Sequence, residues 1–438
     1  MNNKSRRIFL KESSLLAGGL ISAPLMAQVN YFSNADDAIK VAVVGCGGRG
    51  TGAAIQALSS KQNVKIVALA DAFRDNVDRC FQSLTDEINE SLGDLNKRLD
   101  VPEERKLVGF DAYKKAIEFA DVVILATPPG FRPIHFEEAI NQNKHVFMEK
   151  PVATDPAGVK KVLDMAAIAR QKKLNVVVGL QRHYQTSYLE LFKRKEQIGD
   201  ITSMQTWWNG DGVWVRPRKA NQTEMEYQMR NWYYFNWLCG DHINEQHIHN
   251  LDVANWFKGA YPVKAQGMGG RQVRNGKDHG EIFDHHYVEF TYADGSILNS
   301  QCRHIKGTAS KVDELIVGTK GKIKCGSASI LDHTGKSIYQ FDKKTDNNPY
   351  QAEHNELFAA IAKGEYKFAD AENGAKSTLT SIMGRMATYS GQQIEWDKTL
   401  NSGINIQPKE YKWDAVPPVV PNADGYYPIA IPGVTKYF

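Results

Sequence analysis

The sequence predicts an α/β protein in which an N-terminal doubly wound parallel sheet is followed by a larger, mostly antiparallel open sheet. The first observation is that the apolar run Ile39–Val44 stops at the glycine-rich residues 45–50. The second is that strand-like runs alternate with helix-like segments as far as residue 180, which is typical of a parallel sheet. The third is a change to period-2 alternation after residue 201, which favours antiparallel strands.

The glycine loop has the G-x-G-x-x-G spacing of a dinucleotide-binding turn. In such a loop Gly45 makes the tight turn, Gly47 lets the backbone approach a pyrophosphate, and Gly50 lets the helix pack on the strand. The phosphates lie at the helix N-terminus, where free N–H groups favour negative charge. We therefore predict that the whole loop binds the cofactor: Gly45, Cys46, Gly47, Gly48, Arg49 and Gly50.

A second apolar run, residues 64–70, ends at Asp71. This carboxylate follows the glycines by about 20 residues, where an acid bonds the ribose hydroxyls of the adenosine half. No arginine directly follows Asp71, which favours NAD over NADP. The alternative interpretation is a purely structural glycine turn in which Asp71 caps the next helix.

The rest of the chain divides into four predicted parts. They are a signal segment at 1–30, an NAD-binding domain at 38–180, a substrate-binding and oligomerisation domain at 181–395, and a wrapping tail at 396–438. Within the second domain we expect strands near 203–208, 286–292, 296–301 and 314–318, and helices near 230–256, 352–362 and 373–390. One face of this second sheet is predicted to form a homodimer or homotetramer contact.

The first 30 residues have the pattern of an export signal. Arg6 and Arg7 precede an apolar pair and Lys11, and a short apolar stretch with small residues runs to Ala27. This pattern resembles a bacterial twin-arginine signal and predicts a periplasmic or otherwise exported protein. An amphipathic N-terminal helix is the alternative, which the glycine content disfavours. Because that route is associated with proteins that fold around a cofactor before export, we expect the NAD to be tightly bound.

Composition argues against several other classes of protein. The formal charge is +4, of which +3 lies in residues 1–27, and no later cluster of basic residues indicates a nucleic-acid partner. No apolar run of about 20 residues occurs in the body of the chain, so no stable membrane span is expected after signal removal. The five cysteines are scattered without a C-x-x-C pair, which indicates neither a disulfide framework nor a zinc site.

The motif Glu149-Lys150-Pro151 follows a predicted parallel strand, at the edge where ligands bind in open α/β sheets. A lysine in that place can hold a substrate oxygen and relay a proton. The alternative is an ordinary loop lysine before a proline. We predict that Glu149 contributes to cofactor binding and that Lys150 serves both the cofactor and catalysis.

The second candidate is the block from Glu245 to Asp252. If this block is helical, Glu245, His249 and Asp252 share one face, and a carboxylate beside an imidazole can accept a proton. Zinc binding is a rival interpretation, although the H-E-x-x-H order is absent. A structural histidine buried in a helix interface is another. We predict no metal.

Two further groups of candidate residues follow the ends of predicted strands. Thr127 and Pro128 are predicted to line the nicotinamide ribose, with His135 one helix turn further on as a cofactor contact or a mere helix-surface residue. Arg182, His183 and Tyr184 are predicted to bind a polyol through charge and ring stacking.

Together these motifs resemble the Gfo/Idh/MocA family, which includes glucose–fructose oxidoreductase and inositol 2-dehydrogenase. The resemblance spans residues 38–395 and implies a Rossmann domain, an open-sheet domain, NAD(P), and a sugar, glycoside or cyclitol substrate. It also implies that Lys150 and His249 are catalytic. The family usually has aspartate where this chain has Glu245, and His247, also unusual, is predicted to touch the substrate.

We therefore expect an exported NAD-dependent oxidoreductase in which Lys150 and His249 handle the hydroxyl proton and Glu245 orients them. A branch of the superfamily, resembling the NAD-dependent α-N-acetylgalactosaminidases, offers an alternative: glycoside cleavage by oxidation, elimination and reduction. Those glycosidases typically lack the Glu-Lys-Pro motif. A non-catalytic protein that binds NAD and sugar is the third hypothesis, against which the complete set of proton-handling residues argues.

Overall fold

The computed structural model describes residues 38–438, and its first half is built on a six-stranded parallel sheet. The predicted signal segment lies outside the described residues. In chain order the elements are β1 (Ile39–Val44), α1 (Gly48–Leu58), β2 (Val64–Asp71), α2 (Arg74–Glu87), α3 (Leu95–Arg98), β3 (Lys106–Val108), α4 (Ala112–Glu118), β4 (Val122–Leu125), α5 (Arg132–Asn141), β5 (His145–Met148), α6 (Pro156–Gln171) and β6 (Val176–Val178).

The strand order β3-β2-β1-β4-β5-β6 places the topological switch between β1 and β4. Ligands bind at such a switch, outside the carboxyl ends of the strands. The central strands are short runs of β-branched residues because helices cover both faces of the sheet. All four residues of β4, for example, are fully buried.

The second half contains a nine-stranded sheet and the remaining helices. They are α7 (Thr186–Phe192), β7 (Ile201–Gly210), α8 (Glu224–Arg230), α9 (Asn236–Cys239), α10 (His242–Glu245), α11 (Ile248–Lys258), β8 (Lys264–Gly270), β9 (His285–Thr291), β10 (Ile297–His304), β11 (Lys311–Gly318), β12 (Gly321–Lys324), β13 (Ser329–Asp332), β14 (Ser337–Gln340), α12 (Pro349–Ala362), α13 (Ala371–Ser390), β15 (Ile394–Glu395) and α14 (Trp396–Leu400).

This second sheet has the order β14-β13-β12-β11-β7-β10-β9-β8-β15. Its neighbouring strands are antiparallel except for β7 and β10, which pair in parallel from Ser203–Ile297 to Gly210–His304. The helices α11 and α13 pack against one face of the sheet. The predicted fold class, a parallel doubly wound sheet followed by a mostly antiparallel one, is therefore confirmed.

The helix expected near residues 230–256 is wrong as a continuous element. Three separate helices, α9 to α11, follow the end of α8 in this region instead. Gly240 has a φ angle of +75° and ends α9 in the left-handed conformation. Asp241, with a φ of +69°, follows it as the N-cap of α10. The chain turns again at Gln246 and His247, before α11 begins at Ile248. These turns, which the helical periodicity did not indicate, decide where the candidate proton-handling residues lie.

The C-terminal part returns to the first sheet. In α12, Leu357 and Phe358 belong to the same buried cluster as β1 and α1. Beyond α14 the chain has little regular structure, and Tyr411 and Trp413 pack against Phe110 of the first half. Across residues 38–438, none of the helices has the length and apolar character needed to cross a membrane.

Candidate functional site

A cavity of about 570 Å³ lies at the carboxyl ends of β1, β2, β4 and β5. Residues from both halves of the chain line it, and its volume is in the range of small-molecule sites. From the first half it receives the glycine loop, Asp71 and Lys150. From the second half it receives Trp208, Trp214, Arg216, Met229, Arg230, Trp232, Glu245, Gln246, His249 and Tyr350.

The glycine loop has the geometry that the sequence predicted for a phosphate cradle. Gly45 has a φ of +97°, and a Cβ atom there would lie 2.5 Å from the Thr127 backbone nitrogen. A Cβ atom on Gly50 would lie 1.8 Å from the carbonyl oxygen of Gly45, so glycine permits the close approach of α1 to β1. Gly47 has open space on its Cβ side and stands at the N-terminus of α1. Unbonded N–H groups in that first turn can receive a phosphate.

Asp71 is fixed by the backbone of the same loop. Its carboxylate accepts hydrogen bonds from the Cys46 backbone N–H at 2.8 Å, the Phe73 backbone N–H at 2.9 Å and the Asn76 amide at 3.0 Å. Burial raises the pKa of Asp71. Cys46 itself does not line the cavity, because its thiol turns inward toward the Ala70 carbonyl, 3.5 Å away.

A buried arginine connects the ends of β4 and β5. Arg132 donates to the Thr127 carbonyl at 2.7 Å and to the Glu149 carbonyl at 3.0 Å. Thr127 also contacts His135 Nδ1 through its hydroxyl at 3.1 Å. Burial lowers the pKa of His135 to about 3, so this imidazole is neutral. Pro128 lines the cavity beside them. Sequence reasoning missed Arg132, although it directly follows the strand-end loop.

Arg49 is held by two carboxylates rather than pointing freely at a phosphate. Its guanidinium pairs with Glu149 and, at 3.1 Å, with Glu353 of α12. Glu353 is fully buried, and burial raises its pKa well above the usual range. Tyr350 lies over the same guanidinium, with its ring centroid 5.2 Å from Cζ. The sequence offered no local signal for Glu353, which is about 300 residues from its partner.

Lys150 and Glu245 bring the two halves of the chain together. The Lys150 ammonium donates to the backbone carbonyl of Glu245 at 2.6 Å and lies 3.4 Å from its carboxylate Oε1. Burial raises the pKa of Glu245 to about 7, against the opposing attraction of Lys150. Within residues 38–438, Oε2 of this carboxyl is buried and has no hydrogen-bond partner. A proton held here can therefore be exchanged near neutral pH.

His249 completes this group from the first turn of α11. Its imidazole lines the same cavity, and Nδ1 is buried without a hydrogen-bond partner in the described part of the chain. Burial and the neighbouring charge of Lys150 lower its pKa well below the usual value. A neutral imidazole is a proton acceptor. The ring of Trp208 lies nearly parallel to it, with centroids 6.0 Å apart and planes at 22°.

Asp252 does not line the cavity with Glu245 and His249. The prediction that these three residues share one helix face is therefore wrong. Its carboxylate bonds His183 Nε2 at 2.7 Å and the Ser377 hydroxyl at 2.8 Å. The chain turn between α10 and α11 separates Glu245 from the face that carries Asp252. Asp252 therefore anchors α11 on α13, whereas Glu245 and His249 face the cavity.

Four predicted substrate contacts do not line the cavity. Each is turned away by a polar partner in the interior, which no local pattern revealed. The pairs are Arg182 with Glu314, His183 with Asp252, Tyr184 with Asp370 at 2.7 Å, and His247 with Ser300 at 2.7 Å. Sequence reasoning instead missed the tryptophans at 208, 214 and 232, which do line it.

Elsewhere Asp241, His242 and His286 present ligand-type atoms within 4.8 Å of one another. The Asp241 carboxylate already accepts from His242 Nδ1 at 2.7 Å, from the Tyr389 hydroxyl at 2.6 Å and from His286 Nε2 at 3.2 Å. These bonds satisfy a buried charge in the core, which is how such charges are normally stabilised.

Comparison with known proteins agrees with the geometry of the first half. Residues 39–180 match the GFO_IDH_MocA family model, described as an oxidoreductase family with an NAD-binding Rossmann fold. Among curated relatives, the chain is 26% identical over 259 residues to 2,7-anhydro-N-acetylneuraminate hydratase of Escherichia coli (strain K12), covering 56% of this chain and 64% of that protein.

This chain is also 23% identical over 329 residues to inositol 2-dehydrogenase of Acidiphilium cryptum (strain JF-5), a match that covers 70% of this chain and 88% of the relative. The chain thus spans just under two thirds of the length of the hydratase.

Solved structures share most of this architecture. Scyllo-inositol dehydrogenase from Lactobacillus casei, with NAD(H) and scyllo-inositol bound, superposes with a TM-score of 0.61 at 18% identity, covering 82% of this chain and 100% of that one. Aldose-aldose oxidoreductase from Caulobacter crescentus, complexed with glycerol, also has a TM-score of 0.61, at 16% identity and with the same coverage. These likenesses establish the fold.

The raised pKa of Glu245 predicts a pH-dependent effect on stability. The native chain holds this proton up to a pH of about 7, whereas an unfolded chain releases it near the ordinary value of 4.5. The native state therefore binds more protons in this window, and the free energy of unfolding falls as pH rises. Relative to Glu245→Gln, the wild type should lose on the order of 3 kcal/mol between about pH 4 and pH 8.

Denaturant titration at a series of pH values measures this difference, and the same substitution at the exposed Glu104 is the control. Parallel pH profiles for the wild type and Glu245→Gln would contradict a buried carboxyl that retains its proton.

Proposed function

We propose that this protein is an NAD-dependent oxidoreductase that oxidises a hydroxyl group of a sugar, glycoside or cyclitol. The observation that carries the proposal is the meeting of Lys150, Glu245 and His249 in one cavity with the glycine loop. A hydroxyl oxidation needs one group to hold the oxygen, one to take its proton, and an acceptor for the hydride.

The residues of the first half suit a dinucleotide. Gly47 and the N-terminus of α1 would hold the pyrophosphate, and Asp71 would bond the adenosine ribose. Arg74, the first arginine after Asp71 in the sequence, pairs with Asp78 at 2.9 Å and with Glu103, so its guanidinium is already engaged by carboxylates. This arrangement favours NAD over NADP. Bound NAD would supply the hydride acceptor.

The chain's own side chains would then carry out the proton transfer. The Lys150 ammonium stabilises the developing alkoxide of the substrate, since a cation there lowers the cost of negative charge on oxygen. The neutral imidazole of His249 accepts the hydroxyl proton. Glu245 holds Lys150 through its backbone carbonyl and keeps the ammonium aimed at the cavity. The low exposure of the Lys150 and Glu245 side chains, 13% each, strengthens these electrostatic effects.

We also propose that the nucleotide is retained between turnovers. Phe73, beside Asp71, lies under the Arg230 guanidinium, 3.8 Å from its ring centroid, and packs on Trp413 at 5.1 Å. Arg230 makes two 3.0 Å bonds to Asp75 at the start of α2. Segments from the second half and from the tail thus close over the predicted adenosine end of the cavity, which supports slow release.

Retention would suit the proposed export through the twin-arginine segment, since NAD is scarce outside the cytoplasm. Replacing both Arg6 and Arg7 by lysine should leave the protein in the cytoplasmic fraction.

We further propose a homodimer or homotetramer through the face of the large sheet that α11 and α13 leave open. That face carries exposed apolar side chains, such as Met268, which is 70% exposed.

The Lys150 assignment predicts a specific defect. In Lys150→Met, reduction of bound NAD by substrate should fall by about 10²–10⁴-fold, because the ammonium no longer stabilises the alkoxide. Nucleotide content is measured alongside, because Lys150 also lines the cavity predicted to hold the cofactor. Single-turnover absorbance of reduced nicotinamide measures the effect, with the surface variant Lys161→Met as control. Full turnover in Lys150→Met would contradict the assignment.

The retention proposal predicts that Arg230→Gln releases nucleotide faster than the wild type, by about tenfold or more, since the variant loses two charged hydrogen bonds and a cation–π contact. Exchange of bound nucleotide for isotope-labelled NAD measures the rate. Arg74→Gln is the matched control, because its partners lie outside the cavity. Equal exchange rates in Arg230→Gln and the wild type would contradict this role, and purified protein without nucleotide would contradict retention.

A redox-neutral elimination is the second candidate, and the unpartnered Oε2 of Glu245 favours it. Oxidation of a ring hydroxyl to a ketone acidifies the neighbouring C–H. A base removes that proton, and the leaving group departs as a double bond forms. The hydride taken up by the nicotinamide would then return to the ketone carbon and restore the alcohol. A carboxyl with a pKa of about 7 is suited to that second proton transfer. Release of the leaving group without net formation of reduced nicotinamide distinguishes this reaction from simple oxidation.

A further inference from the structure

Several polar side chains that line the cavity are already bonded to other parts of the chain. Arg49 and Arg230 pair with carboxylates. Arg132 donates to strand-end carbonyls, and the Tyr350 hydroxyl accepts a hydrogen bond from Gln181 at 3.1 Å. Groups held in this way have few hydrogen bonds left to offer a substrate. Recognition of the substrate therefore depends on the polar groups of the cavity that have no partner.

The side-chain amide of Gln246 is such a group. It lines the cavity, is partly buried, and has no hydrogen-bond partner among residues 38–438. Its backbone, by contrast, is fully bonded. The Gln246 N–H donates to the His242 carbonyl at 3.0 Å, and the Gln246 carbonyl accepts from the His249 N–H at 3.3 Å. A free amide is thus carried on a fixed backbone.

Gln246 lies next to the proton-handling residues on both sides. The Lys150 ammonium donates at 2.6 Å to the Glu245 carbonyl, which belongs to the peptide group that joins Glu245 to Gln246. Standard peptide dimensions then place the Gln246 Cα within about 5.5 Å of the Lys150 Nζ. The bond to the His249 N–H fixes the other side. The amide consequently extends from a point between the group that holds the substrate oxygen and the group that takes its proton.

Arg216 also lines the cavity without a carboxylate partner in the described part of the chain, but it belongs to another region of it. Burial and the charges of Arg230 and Arg79 lower its pKa. Arg230 in turn bonds Asp75, close to the predicted adenosine site. Gln246, rather than Arg216, is therefore the unpartnered side chain beside Lys150.

A primary amide matches a hydroxyl group in both roles. Its oxygen accepts the hydroxyl hydrogen, and its NH₂ group donates to the hydroxyl oxygen, without adding charge to the site. From this placement we propose that Gln246 is a specificity residue, which binds a second hydroxyl of the substrate on a carbon next to the one that is oxidised. The inference rests on the proposed oxidoreductase function and adds that the substrate is a vicinal diol.

Deoxy analogues test the inference by removing one hydroxyl at a time. Reduction of the nicotinamide in the full-length protein is measured with glucose, galactose and myo-inositol, and then with the single-deoxy analogues of the parent that reacts fastest. The oxidised carbon is identified from the product. One analogue that lacks a neighbouring hydroxyl should have a kcat/KM about tenfold or more below that of its parent, as expected for the loss of one hydrogen bond.

The variant Gln246→Leu should bring this parent-to-analogue ratio close to one and leave the ratios for the other analogues unchanged. Each ratio compares two probes on one protein preparation, so a general loss of folding or activity cancels. Gln246→Glu keeps the size and an acceptor oxygen, and should retain part of the preference. Gln142→Leu is the matched control, because Gln142 is also partly buried, lies outside the cavity and bonds Glu138 at 2.7 Å.

Two results would overturn the inference alone. One is a wild type that reduces its nicotinamide equally well with the parent and with the analogues that lack a neighbouring hydroxyl. The other is a set of ratios that is unchanged in Gln246→Leu; a uniform fall in rate with faster nucleotide exchange would then place the amide on the cofactor. Absence of reduction with every probe, in protein that contains NAD, would count against the proposed oxidoreductase function and the inference together.

Discussion

The bond between the Lys150 ammonium and the Glu245 carbonyl is the constraint on which the rest of the site depends. Lys150 follows a strand of the first sheet, and Glu245 ends a short helix of the second half, 95 residues further along the chain. The meeting of these two elements brings Glu245 and Lys150 into the cavity that the glycine loop lines. The buried ammonium is tolerated because a carbonyl and a carboxyl face it, as buried charges require.

Two arginines make further charged contacts around the cavity. Arg132 fixes the two strand-end loops through their carbonyls, and Arg49 links the glycine loop to Glu149 and Glu353. These paired groups are positioned by one another rather than by ligand. The site is consequently preorganised. Burial raises the pKa of Glu245 to about 7, so the charge of this carboxyl can change in the physiological range.

The sequence predicted the parts of this protein that local patterns determine. Buried β-branched runs marked the strands of the first sheet, and the steric demands at Gly45 and Gly50 follow from the spacing of the loop. The sequence also pointed to Lys150 and His249 as site residues, and the structure places both at the cavity. By contrast, the helix break before Ile248 depends on backbone turns that the helical periodicity conceals.

Long-range pairing explains the remaining errors. Arg182 and Tyr184 had the composition of a substrate site, yet Glu314 and Asp370, more than 130 residues away, bind them in the interior. Trp208, Trp214 and Trp232 were missed for a related reason, since an apolar ring in a strand or loop is usually part of a core. The cofactor half thus follows from local sequence rules, whereas the substrate half depends on how distant segments pack.

The central claim is that this cavity transfers hydride from a carbon of a sugar to bound nicotinamide. Its most direct test is to incubate the purified protein with cellobiose deuterated at every carbon, then to measure the mass of the nucleotide that is released on unfolding. The account predicts reduced nucleotide one mass unit heavier than that obtained with unlabelled cellobiose. Nucleotide that becomes reduced without gaining deuterium would contradict it.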